Sequence, residues 1–292
     1  MKELIVTGGK GGCGKTTVAA SFAYLAKNCV VADCDVDSPN LGIVAQSQVT
    51  KRESFLAKHF EIDNNKCTNC GLCREKCAFN AINKDFQIVP LLCESCGLCM
   101  AICPQDAIRE IEGVIGHWKI GTSRFGPFLD AYLQPGAENS GKLVTLIRKK
   151  AQEKAEECGA DGIVIDGPPG TGCPVIASIT GTDLAIAVVE PSLSGIHDVG
   201  RIIELTSTLK TPIAIVINKA DISRKNTSDL IAFAKENDIP ILGELPYDKN
   251  VNTAQSHRET VVEYAPESIL SIELKMAWNK ILDLLARQND EA

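Results

Sequence analysis

Short apolar runs bounded by turn residues recur along the chain: Leu4-Ile5-Val6, Cys29-Val30-Val31-Ala32, Gly162-Ile163-Val164-Ile165, Asp183 to Glu190, and Ile213-Ala214-Ile215-Val216-Ile217. They are too short for buried helices and lack the polar alternation of half-solvated strands, so they predict fully buried strands. Between them, Thr17 to Lys27, Lys142 to Cys158, Gly195 to Leu209 and Glu267 to Arg287 carry helical patterns. Leu274, Trp278, Ile281, Leu282 and Leu285 share one face of the last, whose polar face mixes both charge signs and is expected to leave the helix packed on the core,. Trp118 to Phe125 reads as extended, and Pro135 to Gly141 as the turn before a helix,. Strands alternating with helices predict an α/β fold, a mostly parallel sheet flanked by helices.

Composition changes this picture in one respect. Hydrophobic residues are 45% and charged residues 23% of the 292, enough for a full core,. Net charge is −7 without a Lys/Arg block, which argues against a dedicated nucleic-acid binder,. No run approaches the ~20 apolar residues that span a bilayer, and the N-terminal run leads into a motif rather than a cleavage site. Cysteine is the outlier: eight of 13 lie between Cys67 and Cys103. Metal-ligand spacings and free thiols predict a reducing, cytoplasmic setting.

Gly8-Gly9-Lys10-Gly11-Gly12-Cys13-Gly14-Lys15-Thr16-Thr17 follows the first strand. Gly9-x-Gly11-x-x-Gly14 satisfies a dinucleotide fingerprint, with Asp33 and Asp35 near the acidic offset; Gly9-x4-Gly14-Lys15-Thr16 satisfies a P-loop,. Lys15 and Thr16 decide for the P-loop, because a triphosphate needs a lysine across its β/γ oxygens and a hydroxyl on Mg2+. Cys13, among the loop amides, is a candidate low-pKa thiol or a small residue filling space. Asp33-Cys34-Asp35 and Asp166 end apolar strands where ligands of open α/β sheets collect; Asp166 suits a carboxylate holding a Mg2+ water.

Cys67-x2-Cys70-x2-Cys73-x3-Cys77 and Cys93-x2-Cys96-x2-Cys99-x3-Cys103-Pro104 repeat one another. The second is the full bacterial ferredoxin run; the first has Ala78 in place of proline,. Two zinc sites are the competing reading. A unit this small is expected to depend on its metal to fold.

Lys10, five residues before Lys15, makes the loop resemble the deviant P-loop of the MinD/ParA/nitrogenase-iron-protein superfamily. The resemblance implies ATP/ADP as ligand and a nucleotide-dependent homodimer in which Lys10 reaches the partner subunit's nucleotide. It implies Asp35 as positioner or base for the attacking water, with Asp33 in support, and Asn218 on the base, followed by Lys219. Asn218-Lys219-Ala220-Asp221 also resembles the guanine-reading motif of GTPases, so ATP over GTP rests on the family. Gly167 to Gly172 is similar to switch II of Mrp-type cluster carriers. The cysteine repeat looks like a ferredoxin with two [4Fe-4S] clusters, which implies crossed ligation: Cys67, Cys70 and Cys73 with Cys103, and Cys93, Cys96 and Cys99 with Cys77. Cys173 stands where the nitrogenase iron protein has a bridging-cluster ligand, but its companion near Asn139 is absent, so no shared cluster is expected.

The chain is thus expected to hold a discontinuous P-loop ATPase domain, residues 1–60 and 111–292, with a small α+β bacterial-type ferredoxin domain inserted at 61–110. The first functional expectation is an ATPase whose nucleotide state gates electron transfer from the clusters to a protein partner. The alternatives are an iron–sulfur or metal-cofactor carrier serving apo-proteins, and a redox-sensing spatial regulator of MinD/ParA type. Neither nucleic acid nor membrane is an expected partner.

Overall fold

The computed structural model describes residues 1–137 and 140–290. Among them nine strands form one sheet in the order β3-β4-β5-β2-β6-β1-β7-β8-β9. The strands are β1 (Lys2–Gly8), β2 (Cys29–Asp33), β3 (Gln48–Ile62), β4 (Ile108–Ser123), β5 (Gly126–Leu133), β6 (Gly162–Pro169), β7 (Leu184–Val189), β8 (Ile213–Asn218) and β9 (Ile241–Leu245). All pair in parallel except β4, which runs antiparallel to both β3 and β5. β1, β2 and β7 are buried over nearly their whole length around apolar cores such as Leu4-Ile5-Val6, as central parallel strands covered on both faces must be,.

The helices are α1 (Lys15–Ala26), α2 (Leu41–Val44), α3 (Leu72–Glu75), α4 (Leu98–Ala101), α5 (Ser140–Cys158), α6 (Cys173–Ile179), α7 (Leu193–Leu209), α8 (Arg224–Glu236), α9 (Asn250–Ser256), α10 (Val261–Tyr264) and α11 (Ile269–Asp290). One face of the sheet packs Phe22 of α1 and Leu274 and Ile281 of α11 on Val6, Ile186 and Val216. The other packs Leu143 and Ile147 of α5 and Val175 of α6 on Ile5, Val30 and Ile165. Trp278 packs against Phe22 with the rings tilted and their centroids 5.6 Å apart, so the last helix is fastened to the core as expected, but Leu282 is 48% exposed and does not belong to its buried face.

Arg148 of α5 is buried, donates to Glu3 Oε1 at 2.7 Å, and holds the Ala177 and Thr180 carbonyls at 2.8 and 2.6 Å. It joins the start of β1 to the end of α6. Removing one partner of such a pair strands the other charge, so Arg148→Ala is expected to cost about 3–5 kcal/mol, read as a lower urea midpoint.

The cysteine-rich segment is mounted on the sheet itself. β3 and β4 continue through both expected domain boundaries, and Ile62 pairs with Ile108 at the tip. The extended segment expected at Trp118 to Phe125 is the end of this longer strand and the turn after it. β5 covers β4 only from Gly116 onward, so the ribbon projects a further eight residues, roughly 25 Å. A bulge at Ile115, between the Phe55–Gly116 and Leu56–Val114 pairs, marks where it leaves the sheet,. Glu138 and Asn139, which belong to the turn expected at Pro135 to Gly141 and to the expected bridging-ligand position, lie outside the described residues.

Candidate functional site

The C-terminal ends of β1, β2, β8 and β9 open into a cleft of about 690 Å³ lined by Gly11, Gly12, Gly14, Lys15, Thr16, Thr17, Asp35, Asn218 and Lys219. Gly14 caps α1 at φ +98°, and a Cβ there would stand 2.2 Å from Asn218 Nδ2. Glycine is required twice over, by conformation and by contact. Gly9 is fixed by packing alone, because a Cβ would lie 2.1 Å from that of Asp198.

Lys15 is buried and its Nζ donates to the Lys10 carbonyl at 3.3 Å, drawing the ammonium under the loop. Lys10 lines no part of the cleft; its Nζ turns to Glu190 at 3.4 Å, with Ser192 and Ser194 hydroxyls at 3.5 Å. Asp33 and Asp166 are register partners on neighbouring strands and both are buried. Asp33 accepts from the backbone N–H groups of Asp35, Asn40 and Leu41 at 3.1, 2.9 and 3.0 Å, so it fixes the loop that presents Asp35. Burial and the Asp166 charge push the Asp33 carboxyl well up, against the pull of those donors.

Burial pushes the Asp166 carboxyl up to about 7, opposed by the neighbouring Thr16 hydroxyl and the Lys15 charge. Its Oδ1 is buried without a hydrogen-bond partner. An orphaned carboxylate oxygen beside a threonine hydroxyl fits Mg2+, with Thr16 as ligand and Asp166 behind a bound water. A carboxyl raised on folding stabilises the metal-free protein fully below the unfolded value near 4, and that stability is lost as pH rises toward 7. The metal-free melting temperature is therefore expected to fall between pH 4 and 7, less steeply in Asp166→Asn.

Asn218 Nδ2 donates to the Cys13 carbonyl at 2.8 Å while its Oδ1 accepts from Lys219 N–H at 3.0 Å, so its amide braces the P-loop. Lys219 pairs with Glu190 and reaches the Gly12 carbonyl at 3.4 Å. Asp221 accepts from Tyr247 N–H at 2.7 Å and does not line the cleft. The far wall comes from Leu245, Pro246, Tyr247, Asp248, Val251, Asn252 and Gln255. The sequence reading missed this wall; Pro246-Tyr247-Asp248, a turn signal after an apolar run, was the available clue,.

The cysteines outside the repeat divide into three buried and two exposed thiols. Cys13 is buried and burial pushes its thiol up, so it fills space and is no low-pKa nucleophile. Burial raises Cys29 to about 12 and Cys34 higher. Cys173 is exposed at the start of α6, and Cys158 is exposed as well.

The sequence repeat between 67 and 103 becomes a structural one. Gly71 and Gly97, at φ +83° and +77°, start α3 and α4. Ala81 N–H donates to Cys77 Sγ and Ala107 N–H to Cys103 Sγ, each at 3.4 Å. Cys67, Cys70, Cys73 and Cys103 line one cavity; Cys77, Cys93, Cys96 and Cys99 line another, and Cys73 stands in the wall of both. Phe60, Ile62, Ile82 and Ile108 pack between them. Among the described residues no group of three or more His, Cys, Asp or Glu side chains is drawn together to hold a single metal ion. Four thiols around each of two apolar cavities, with N–H donors to sulfur, are a donor set that fits four-iron clusters.

The family model described as CobQ/CobB/MinD/ParA nucleotide binding domain matches residues 4–261, and the chain belongs to that family of P-loop ATPases. An uncharacterized protein of Methanocaldococcus jannaschii is 37% identical over 77% of this chain and 80% of its own length. The septum site-determining protein MinD of Bacillus subtilis is 25% identical over 96% of this chain and 89% of its own length. MinD of Pyrococcus horikoshii, solved with Mg-ADP, shares the fold with a TM-score of 0.59 at 17% identity, covering 96% of this chain and 95% of that one. Among the described residues no helix is long and apolar enough to cross a membrane.

Proposed function

We propose that the protein is a Mg-ATP-dependent switch of MinD/ParA type, alternating between a nucleotide-sandwich homodimer and a monomer, with two [4Fe-4S] clusters on its projecting arm. The observation that carries the reading is the P-loop cleft lined by Lys15, Thr16 and Asp35, with the buried Asp166 carboxyl behind it beside the Thr16 hydroxyl. Lys15 neutralises the phosphates, Thr16 and Asp166 hold Mg2+ and its water, and Asp35 orients the attacking water. Lys10, outside its own cleft, acts across the dimer on the partner subunit's nucleotide. ATP is favoured over GTP on the family likeness and because Asp221, the acid that would read guanine, accepts from Tyr247 N–H and does not line the cleft.

The named relatives are MinD proteins, so spatial or partner regulation takes first place, ahead of the gated electron transfer expected from the sequence. Gated electron transfer is kept as a second reading for one reason: the cavities sit on a ribbon continuous with the sheet that carries the switch loops. Cluster delivery rests only on the likeness of Gly167 to Gly172 to Mrp-type carriers. Residues 61–110 act as the ferredoxin-like domain, with the P-loop domain formed by 1–60 and 111–292, in a cytoplasmic setting.

Anaerobic turnover with Mg-ATP and Mg-GTP tests the nucleotide, and Lys10→Ala tests the dimer. Mg-ATP turnover that Lys10→Ala lowers at least tenfold, together with loss of the ATP-dependent dimer, is the expected result. Intact turnover and dimerisation in Lys10→Ala would return Lys10 to a solvated loop residue. Iron and zinc analysis of the same samples decides between clusters and zinc sites.

A further inference from the structure

Glu190, at the C-terminal end of β7, is the shared counter-ion of two P-loop-associated lysines. Its carboxylate takes Lys10 Nζ on one oxygen at 3.4 Å and Lys219 Nζ on the other, and only 18% of its side chain is exposed. Lys219 in turn touches the Gly12 carbonyl at 3.4 Å. The paired lysines hold the Glu190 carboxyl down against the opposing effect of its burial. Glu190 therefore ties the start of the P-loop to the loop after β8 without lining the nucleotide cleft.

We infer that Glu190 is the positioning residue for Lys10: it parks the lysine on its own subunit until a second copy with bound ATP takes it over. The inference rests on the proposed action of Lys10 across the dimer. The side chain of Lys10 is 36% exposed, so it is held at the rim and not sealed in. The Ser192 and Ser194 hydroxyls, at 3.5 Å, are neutral, so the Glu190 carboxylate at 3.4 Å is the one charged partner of its ammonium among the described residues. To reach phosphates on another subunit the ammonium must give up that ion pair, and the phosphates must offer more than the carboxylate does. The glutamate thus sets how much nucleotide-bound partner is needed before the dimer closes.

The test compares wild type, Glu190→Gln, Glu190→Asp and Lys10→Ala, all full-length and anaerobic, by sedimentation with a non-hydrolysable ATP analogue and Mg2+. Thermal melts establish that each variant is folded. Glu190→Gln keeps the shape and removes the charge, and it is expected to dimerise at about three- to five-fold lower protein concentration, the range an exposed-rim ion pair supports. Glu190→Asp, which keeps the charge, is expected to restore most of the wild-type threshold; a purely structural role would not follow charge in this way. If Lys10→Ala abolishes the dimer while Glu190→Gln dimerises like wild type or less readily, the role given to Glu190 is wrong and that of Lys10 stands. If Lys10→Ala dimerises normally, both fall.

Discussion

Lys15→Ala is expected to lower Mg-ATP turnover by at least a hundredfold and to abolish the ATP-dependent dimer while leaving the fold in place. The ammonium is buried at the start of α1 beneath the glycine loop, within reach of the Asp35 and Asp166 carboxyls, and lines the cleft as the cation placed for a bound triphosphate. Removing a preorganised charge from such a site costs about 3 kcal/mol or more in the transition state, and the loss of phosphate neutralisation weakens the ground state too. The fold is spared because the ammonium makes one contact, with the Lys10 carbonyl. Steady-state turnover, nucleotide titration and a thermal melt on one preparation check all three parts. Retained turnover would remove the P-loop from the mechanism.

The second large effect concerns the arm. Anaerobically purified protein is expected to carry about eight irons per chain, four in each cluster. Cys77→Ser and Cys103→Ser are each expected to lower this to about four. The crossed arrangement makes a sharper demand: Cys77→Ser must damage the cluster of Cys93, Cys96 and Cys99, and Cys103→Ser that of Cys67, Cys70 and Cys73, because those are the thiols that share a cavity. Spectra of singly disrupted proteins, combined with Cys70→Ser and Cys96→Ser, assign the pairs. Chelation is expected to unfold the arm, whose apolar cluster is small, while ADP binding by the sheet survives,. Zinc in place of iron, or loss of both clusters from either single substitution, would overturn the assignment.

The central strands were legible because burial on both faces leaves an unbroken apolar signature, as in Val30-Val31-Ala32 and Ile163-Val164-Ile165. β3 was not, and for a physical reason. It is an edge strand that pairs with β4 alone and whose inward residues are only half-buried before Phe60, so Lys51, Arg52, Lys58 and Glu61 stand in water and the apolar alternation is weak,. The same ribbon hid the mounting of the cysteine repeat, whose ends look like domain boundaries in sequence yet run straight into the sheet. At the cleft, the glycines, Lys15 and the strand-end acids were readable because phosphate chemistry restricts both residue type and spacing. Which way Lys10 points, and the bracing of the P-loop by the Asn218 amide, depend on Glu190 and Cys13, contacts that join segments about two hundred residues apart. Local patterning carries no record of such contacts.

The account turns on nucleotide-driven association. Sedimentation velocity on the full-length protein, kept anaerobic, with Mg2+ and either a non-hydrolysable ATP analogue or ADP, measures it directly. A dimer with the analogue and a monomer with ADP is the predicted result. One mass under both conditions, monomer or dimer, would contradict it.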